Sequence, residues 1–355
     1  MNADKQKLFR KKLLAWHLKN RRKLPWRFSR NPYRIWLREV ILQQTRLEQG
    51  APYFHRFLKR FPDVRQLAQA ELDEVLHLWQ GLGYYSRARN LHAAARQIVD
   101  QLGGRFPKTY QEWMGLKGIG RYTAAAIVSF AFGQPYAVVD GNVCRVLARA
   151  FGIRDVPQSA KGKKTFEQLA QALIDPQRPA DFNQAMMDLG ATVCTPRKPL
   201  CSSCFWRHEC YAHQHQAVEQ FPVRKEAVSP RVRHFAYVLF EMNAHTFITR
   251  RGQNDIYSHL YEFPLLEMNR VPDEALVQQR LIAEGWIKAP ASPMRLSQPV
   301  VHKLTHQWLY VTFVHVGICR HQVHAPSGWR RVAWAELNQF AFPQVIRKYL
   351  QKQLS

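Results

Sequence analysis

The sequence predicts an all-α region followed by an α+β domain, and three observations support this fold class. Apolar residues recur at helical spacing from the N-terminus to about residue 210. Beyond residue 231, the segments HFAYVLFEM, HTFITRR and WLYVTFVHVGI are rich in β-branched and aromatic residues, which favour strands. Four cysteines crowd into residues 194–210, at the end of the helical region. A chain of 355 residues has room for two or three domains.

The composition indicates a polyanionic partner. The chain has 52 Lys and Arg residues against 26 Asp and Glu residues, and its formal net charge is +26. Such a charge favours nucleic acid as the partner, with a merely basic soluble enzyme as the alternative. The first residues, MNADKQKLFRKKLL, lack the apolar core of a signal peptide, and no run of about 18 apolar residues occurs. We therefore expect a cytoplasmic protein, nucleoid-associated if bacterial, with no membrane partner.

Two helices open the chain. Residues 5–23 form a basic segment, and its apolar stripe consists of Leu8, Leu13, Leu14 and Leu18. Asn31-Pro32 predicts the start of a second helix, because proline suits a first-turn position. This second helix should run from Tyr33 to about Glu48.

Glu39 is the candidate acid of the second helix. Ile35, Trp36 and Leu42 share its helical face. A carboxyl group held against an apolar face is desolvated, which favours the protonated form that a general acid needs. The alternative is an ordinary solvated surface charge.

Two further features suit contacts with DNA bases. The amides of Gln43 and Gln44 can hydrogen-bond a base edge, although a plain surface role is equally compatible with them. The turn QGLGYYSRARN presents Tyr84 beside Arg87 and Arg89. An aromatic ring next to arginines suits insertion into a base stack with phosphate contacts alongside, and packing in the core is the alternative.

A glycine hairpin is the centre of the helical region. Gly118-Ile119-Gly120 opens directly into a small-residue helix, Tyr122 to Phe132. The start of such a helix presents unpaired backbone N–H groups and a positive dipole end, and glycine lets a phosphate approach closely. We interpret the hairpin as a helix-hairpin-helix DNA clamp.

The same stretch then leads to Asp140. A turn at Gly133 to Pro135 and an apolar run, Tyr136 to Val139, bring Asp140 to the start of a helix near Asn142. Asp140 suits a catalytic carboxylate positioned by the clamp, and it also suits a helix N-cap; the two roles are compatible. Asn142 is similarly a cap or an active-site hydrogen-bonding group.

The cysteines Cys194, Cys201, Cys204 and Cys210 have the spacing C-x6-C-x2-C-x5-C. Four thiolates this close can bind zinc or a [4Fe–4S] cluster, and the spacing alone leaves both open. Residues 214–231 are polar, lack apolar periodicity and are predicted to be a linker. The second domain, residues 232–355, should contain a helix from Asp273 to Glu284 and another near Ala333 to Phe340.

The motifs LKGIG and VVDGNV, together with the four cysteines, resemble those of the endonuclease III-like helix-hairpin-helix glycosylase superfamily. The resemblance implies a [4Fe–4S] cluster on the four cysteines and a catalytic role for Asp140. It also implies a helical catalytic domain over residues 1–213, a linker over 214–231 and a Nudix-like lesion-recognition domain over 232–355. Within the catalytic domain, residues 1–24 and 133–213 would form the cluster-bearing lobe and residues 25–132 a six-helix lobe.

The residue at position 122 separates two branches of that superfamily. Lyase members carry a lysine there whose amine forms a Schiff base, whereas this chain carries Tyr122, so it resembles the monofunctional adenine-excising branch. The resemblance makes Glu39 the acid that protonates adenine N7 and Asp140 the group that stabilises the cationic sugar. Tyr122 would support Asp140 or the water, Asn142 would hydrogen-bond in the active site, and Arg27 would lie near the pocket.

The resemblance also implies the substrate. Such enzymes act as monomers on double-stranded DNA and remove adenine opposite 8-oxoguanine or guanine, after flipping it out of the duplex. The resemblance places Gln44 and Tyr84 in the vacated stack near the opposite base. Leu304-Thr305-His306 stands where the lesion-reading loop has an aromatic-Ser-His motif; leucine keeps apolar contact and loses stacking.

Three alternatives remain at this stage. The first is a bifunctional glycosylase–lyase acting on pyrimidine lesions. The second is a non-catalytic iron–sulfur protein that binds DNA or senses redox state. The third is a zinc protein, which would be colourless where an iron–sulfur protein is brown. Nucleotide hydrolysis in the second domain is disfavoured because the helix ALVQQRLIAEGW has one acidic residue where a Nudix metal site needs several.

Overall fold

The computed structural model describes residues 3–22, 27, 29–226, 229–253 and 255–353. The chain divides into two compact units: Met1–Gln69 with Ala93–Ala227, and Ala70–His92 with Val228–Ser355. In the described residues, no helix combines the length and the apolar character that a membrane crossing requires.

Helices dominate the chain up to residue 214, as the sequence predicts. In chain order they are α1 (Ala3–Asn20), α2 (Pro32–Leu42), α3 (Leu47–Arg60), α4 (Val64–Gln69), α5 (Leu72–Trp79), α6 (Ser86–Leu102), α7 (Tyr110–Met114), α8 (Arg121–Phe132), α9 (Gly141–Phe151), α10 (Ala160–Leu173), α11 (Pro179–Thr192) and α12 (Tyr211–Gln214). Helix α5 and the first residues of α6 belong to the second unit.

The first helix buries a face different from the one predicted. Phe9, Leu13 and Leu14 are buried in α1, whereas Leu8 is 40% and Leu18 65% exposed. Phe9 replaces Leu8 in the stripe because its ring packs against Trp206, with centroids 4.9 Å apart. Periodicity within the helix could not distinguish these neighbouring positions.

Helix α2 begins as predicted but ends earlier. Asn31 caps its start by accepting a hydrogen bond from the Arg34 N–H. The predicted end near Glu48 is wrong, because the chain turns after Leu42, and Gln44 adopts a left-handed φ of 53°. The turn is held by the Gln43 side chain, whose Nε2 donates to Thr123 Oγ1 at 2.8 Å.

The hairpin joins α7 to α8. Gly118 has a φ of 74°, a conformation that favours glycine, and Gly120 is the N-cap residue of α8, with no side-chain cap. Helix α8 is almost wholly buried from Thr123 to Phe130, because its alanines let α2 pack closely against it. It ends at Gly133, whose left-handed φ of 66° provides the predicted turn.

A buried asparagine fixes the segment between α8 and α9. Asn183 of α11 is 1% exposed. Its Oδ1 accepts from the Val138 N–H at 2.9 Å, and its Nδ2 donates to the Tyr136 carbonyl and to Ser129 Oγ, both at 2.9 Å. Asp140 therefore reaches the start of α9 on a backbone that is held from one side by a side chain of α11.

The second unit is built on two sheets. Its strands are β1 (Arg231–Glu241), β2 (His245–Arg250), β3 (Tyr261–Glu262), β4 (Leu265–Met268), β5 (Met294–Leu296), β6 (Val300–Lys303), β7 (Gln307–Gly317) and β8 (Trp329–Ala333). In the described residues one sheet has the order β4-β1-β7-β5, with β6 also paired to β7, and the other has the order β3-β2-β8. Strands β1 and β7 are parallel, and alternate residues of β1 enter two separate apolar cores.

The helices of this unit follow the prediction only in part. The helix expected from Asp273 to Glu284 is helix α13 (Glu274–Ala283), and Asp273 is its N-cap. The helix expected near Ala333 to Phe340 is a 3₁₀ helix, Trp334–Gln339, and the C-terminal helix α14 (Gln344–Gln353) was not predicted.

Residues 70–92 pack with the strands of the second unit, whereas the sequence places them in the six-helix lobe. Asp73 accepts hydrogen bonds from Arg250 and from the Tyr261 hydroxyl, at 2.6 and 3.1 Å. Arg89 donates to the Ser258 carbonyl at 2.8 Å. These partners lie more than 150 residues away along the chain, so no local pattern indicates them.

A close contact between α9 and α11 should limit the side chain at position 190. A Cβ atom on Gly190 would lie 2.6 Å from the Asn142 Cβ and 3.0 Å from its backbone oxygen. Gly190→Ala should therefore lower the free energy of unfolding by about 1–3 kcal/mol, measured by urea denaturation followed by circular dichroism. Gly141→Ala is the control, because its Cβ meets no atom within 4 Å. Equal stability of the two variants would contradict this account.

Candidate active site

One cavity of the first unit brings together the four predicted catalytic residues. It has a volume of about 280 Å³. Glu39 of α2, Tyr122 of α8, and Asp140 and Asn142 at the start of α9 all line it. Its wall also includes Arg22, Arg27, Arg38, Leu42 and Asp188.

Glu39 is buried, with 8% of its surface exposed, but its carboxylate has polar partners. Arg38 donates to Oε1 through Nε at 3.0 Å and through Nη2 at 2.8 Å. The hydroxyl of Tyr122 donates to Oε2 at 2.9 Å. The sequence indicated the apolar face of α2 but not Arg38, since consecutive residues of a helix do not ordinarily face each other.

Tyr122 acts here as a hydrogen-bond donor and not as an ionised phenolate. Burial raises the pKa of its hydroxyl well above the usual value, and the negative charges of Glu39 and Asp140 raise it further. The direct partner of Tyr122 is Glu39, whereas the sequence reading paired it with Asp140 or the water. A neutral, buried phenol cannot form a Schiff base.

Asp140 caps a helix and also lines the cavity. It is the N-cap of α9, and its Oδ1 accepts from the Val143 N–H at 2.8 Å. Its Oδ2 accepts from Asn142 Nδ2 at 2.8 Å. The carboxylate is thereby fixed in orientation, and it lines the same cavity as Glu39.

Hydrogen bonds connect this carboxylate to the cysteine segment. Asn142 Oδ1 accepts from Arg145 Nη2 at 2.9 Å, and Arg145 Nε donates to the Cys194 carbonyl at 2.7 Å. Arg145 is 8% exposed. Local sequence gave no sign of this path because it depends on how α9 packs against the cysteine loop.

Arg27 lines the cavity and forms a buried ion pair with Asp188. Its Nη1 and Nη2 donate to the two carboxylate oxygens of Asp188, both at 2.8 Å, and His17 lies 3.3 Å from the same carboxylate. Burial raises the pKa of Asp188, but the hydrogen bonds from His17 and Arg27 outweigh it and lower the pKa. Asp188, which the sequence did not reveal, therefore holds Arg27 beside the pocket.

The candidate DNA contacts of the first unit are at exposed turns. The uncapped start of α8 at Gly120 leaves backbone N–H groups for an anion, and a Cβ at this position would meet open space. Gln44 is exposed in its left-handed turn. These features suit a phosphate and a base edge respectively.

The second unit brings Tyr84 and the predicted lesion-reading loop together. The hydroxyls of Tyr84 and Thr305 lie 2.8 Å apart. Both residues line a cavity of about 500 Å³, to which Leu304 and His306 also contribute. Tyr84 has a left-handed φ of 49° and is 48% exposed, so its ring is available to a base.

The cysteine segment contains the donors for a metal centre. None of Cys194, Cys201, Cys204 and Cys210 forms a disulfide, and Cys194, Cys204 and Cys210 pack against the core of the first unit. Burial raises the pKa of Cys204 to about 11, so its thiolate requires a compensating cation. In the described part of the chain, no three His, Cys, Asp or Glu side chains converge as a single metal ion would require. Four thiolates are a donor set that an iron–sulfur cluster accepts.

Three family models match the chain. Residues 37–173 match the HhH-GPD superfamily of base excision DNA repair proteins, residues 194–210 match the iron–sulfur binding domain of endonuclease III, and residues 235–352 match a NUDIX domain. The match to the iron–sulfur binding domain covers all four cysteines, and we assign them as the ligands of a [4Fe–4S] cluster.

Curated relatives named adenine DNA glycosylase match most of the chain. The human protein is 37% identical, and the match covers 84% of this chain and 65% of the human protein. The Rattus norvegicus protein is 34% identical, and the match covers 96% of this chain and 77% of the rat protein. A Buchnera aphidicola protein is 32% identical over 86% and 85%. This chain thus spans about two thirds of the human relative.

Solved structures resemble the helical part. A thermostable thymine-DNA glycosylase matches with a TM-score of 0.56 and 30% identity over 60% of this chain and 98% of its own. An endonuclease III in a non-covalent DNA complex matches with a TM-score of 0.53 and 22% identity, over 61% of this chain and 98% of its own. This likeness shows a shared fold.

Loss of one ligand should remove the cluster. We expect purified protein to be brown, and Cys204→Ser to lose visible absorbance and bound iron. Cys144→Ser is the control, because Cys144 is another partly buried thiol packed against the same core but lies outside the ligand set. Iron content and absorbance measured side by side test this; full iron retention in Cys204→Ser would contradict the assignment.

Proposed function

Because this chain belongs to the adenine DNA glycosylase family, we propose that it hydrolyses the N-glycosidic bond of adenine mispaired with 8-oxoguanine or guanine in double-stranded DNA. The observation that supports this most strongly is the convergence of Glu39 and Asp140 on one cavity. As a base-excision repair enzyme it would act as a monomer, in the cytoplasm or on the nucleoid of a bacterium.

The two carboxyl groups divide the reaction. Glu39 donates a proton to N7 of the extruded adenine while the bond from C1′ to N9 breaks and its electron pair leaves with the base. Positive charge develops on the sugar, and Asp140 stabilises it or bonds transiently to C1′. Water then adds at C1′ and gives up a proton, which restores the acid form of Glu39.

The surrounding residues support a reaction without a lyase step. A lyase needs an amine that attacks C1′, and the described residues that line the cavity include no lysine. Tyr122 instead orients Glu39 through its 2.9 Å hydrogen bond. Asn142 and the α9 cap hold Asp140 in one orientation. The geometry therefore favours a monofunctional glycosylase.

The second unit supplies the contacts to the opposite base. Tyr84 is exposed and beside Thr305, so a ring that wedges into the stack and a hydroxyl that hydrogen-bonds a base edge are presented together. Leu304 packs against the apolar core of this unit and positions the loop. The hairpin glycines, Gly118 and Gly120, would bind phosphate.

Loss of either carboxyl group should abolish excision. Glu39→Gln and Asp140→Asn should each lower the single-turnover rate of adenine release about 10²–10⁴-fold, because one loses the proton donor and the other the compensating charge. The assay uses duplexes with adenine opposite 8-oxoguanine, guanine or thymine and scores alkali-labile sites. Glu48→Gln, on the exposed surface of α3, is the matched control and should retain wild-type rates.

Two results would reject the proposal. Unchanged excision by Glu39→Gln would eliminate the acid role. Efficient borohydride trapping of the enzyme on DNA would favour the glycosylase–lyase alternative.

The hydroxyl of Thr305 should contribute to lesion preference. Thr305→Val keeps the shape but loses the hydrogen bond to Tyr84 and any bond to the opposite base. We expect about a tenfold slower reaction or weaker binding with adenine opposite 8-oxoguanine and a smaller change opposite guanine, in line with one hydrogen bond. Thr305→Ser, which restores the hydroxyl, should recover the preference; equal losses on both duplexes would contradict this role.

A further inference from the structure

The 500 Å³ cavity of the second unit is lined by two buried polar atoms that have no hydrogen-bond partner among the described residues. One is the hydroxyl of Tyr257, and the other is the side-chain oxygen Oε1 of Gln344. Every residue that lines this cavity belongs to the second unit. Buried polar groups are normally paired, so an unpaired donor and an unpaired acceptor on one cavity indicate a ligand with a complementary edge.

Tyr257 also has an unfavourable backbone conformation. Its φ is 61°, in the left-handed region, which a bulky aromatic residue seldom adopts. Burial raises the pKa of its hydroxyl, so the hydroxyl stays neutral and can donate a hydrogen bond. A strained backbone and an unpaired hydroxyl both lower the stability of the fold, and such features concentrate at functional sites.

A network of ion pairs fixes the loop that carries Tyr257. Arg233, which is 8% exposed, donates to the two carboxylate oxygens of Asp255 at 2.8 and 2.7 Å. Arg251 donates to Oδ2 of the same carboxylate at 2.6 Å, and the Ile256 N–H donates to Oδ1 at 2.7 Å. The loop is therefore held in place without a ligand, and little conformational entropy would be lost when one binds.

The lining of the cavity suits a flat aromatic ligand. Its rings come from Tyr84, Tyr257 and His302, and its aliphatic side chains from Leu82, Ile256 and Leu304. The centroids of the Tyr257 and His302 rings lie 6.5 Å apart. The volume of about 500 Å³ falls in the range of about 300–1,000 Å³ that is typical of small-ligand sites.

The charges around the cavity favour a ligand that carries phosphate. The cations Arg89 and Lys303 line it. Asp255 is the acidic side chain among the described lining residues, and Arg233 and Arg251 already bind its carboxylate. A cationic ligand would therefore find no free anion there, whereas the sugar-phosphate part of a nucleotide would meet positive charge.

We propose that this cavity is a subsite for a purine base, in which the Tyr257 hydroxyl donates to an acceptor of the base and Gln344 Oε1 accepts from a neighbouring N–H. Guanine has one such edge, O6 with N1–H, and 8-oxoguanine has a second, O8 with N7–H. The base comes from the strand opposite adenine or from a free nucleoside. The duplex source rests on the proposed function, whereas the subsite does not.

The first experiment titrates free 8-oxo-2′-deoxyguanosine into the holoenzyme without DNA, followed by isothermal calorimetry. We expect saturable binding that is tighter than the binding of 2′-deoxyguanosine. Tyr257→Phe and Gln344→Met should each weaken it about tenfold, since each removes one hydrogen bond. Tyr310→Phe is the matched control, because it removes a hydroxyl from the same unit outside the cavity.

Thermal unfolding distinguishes a ligand-binding hydroxyl from a structural one. Tyr257→Phe should keep or raise the melting temperature, because the hydroxyl has no partner among the described residues. Tyr237→Phe should lower it, because the Tyr237 hydroxyl is buried and donates to Glu262 at 3.1 Å. A melting temperature lowered equally by both substitutions would overturn the proposal.

Two duplexes identify the source of the base. One has adenine opposite 8-oxoguanine and the other has adenine opposite an abasic analogue; Asp140→Asn serves as the background, so that adenine stays attached. If the base comes from the duplex, Tyr257→Phe should weaken binding of the first duplex about tenfold and leave the second unchanged. If it comes from a free nucleoside, both duplex affinities stay unchanged and the nucleoside binds beside the duplex.

Equal affinities of the wild type and Tyr257→Phe for the nucleoside and for both duplexes would overturn the subsite. Absence of adenine release by the wild type would refute the proposed function instead. The nucleoside titration and the melting temperatures would then still decide whether the cavity binds a purine.

Discussion

The hydrogen bonds of Asn183 are the constraint on which the catalytic geometry depends. One fully buried amide binds the backbone at Tyr136 and Val138 and the hydroxyl of Ser129. A buried polar group without a hydrogen-bond partner lowers the stability of the fold. These hydrogen bonds therefore fix the backbone of the segment where it crosses α11. That path ends at Asp140, whose carboxylate is then fixed by the cap of α9. A side chain outside the pocket thus determines where the anion lies.

Two buried ion pairs line the same cavity. The chain has a formal net charge of +26, and a basic surface attracts DNA without distinguishing its sequence. The buried pairs Arg38–Glu39 and Arg27–Asp188 act differently, because removal of one partner leaves an uncompensated charge in the interior. The surface therefore supplies attraction, whereas the buried pairs supply orientation.

Local chemistry made part of this structure predictable. Asn31 and Asp273 lie at the starts of helices, and Gly133 lies at the end of one. Each affects only residues close to it in sequence, so a local pattern is enough to predict these helix boundaries. The four catalytic candidates also share one cavity, and they could be predicted because their motifs resemble those of a known family. The Arg38 contact, the Asn183 anchor and the Tyr84–Thr305 pair were not predictable in the same way. They depend on tertiary packing, and the last joins positions 221 residues apart. The left-handed turn at Gln44 likewise escaped a reading based on helical periodicity.

Because residues 70–92 group with the C-terminal unit, neither unit is one continuous segment of the chain. The polypeptide passes from one unit to the other three times, after residues 69, 92 and 227. A cut in the linker would consequently not release two intact halves, since helix α5 would leave with one fragment and its partners Arg250 and Tyr261 with the other. A homologue without the C-terminal strands would need other residues to pack against helix α5.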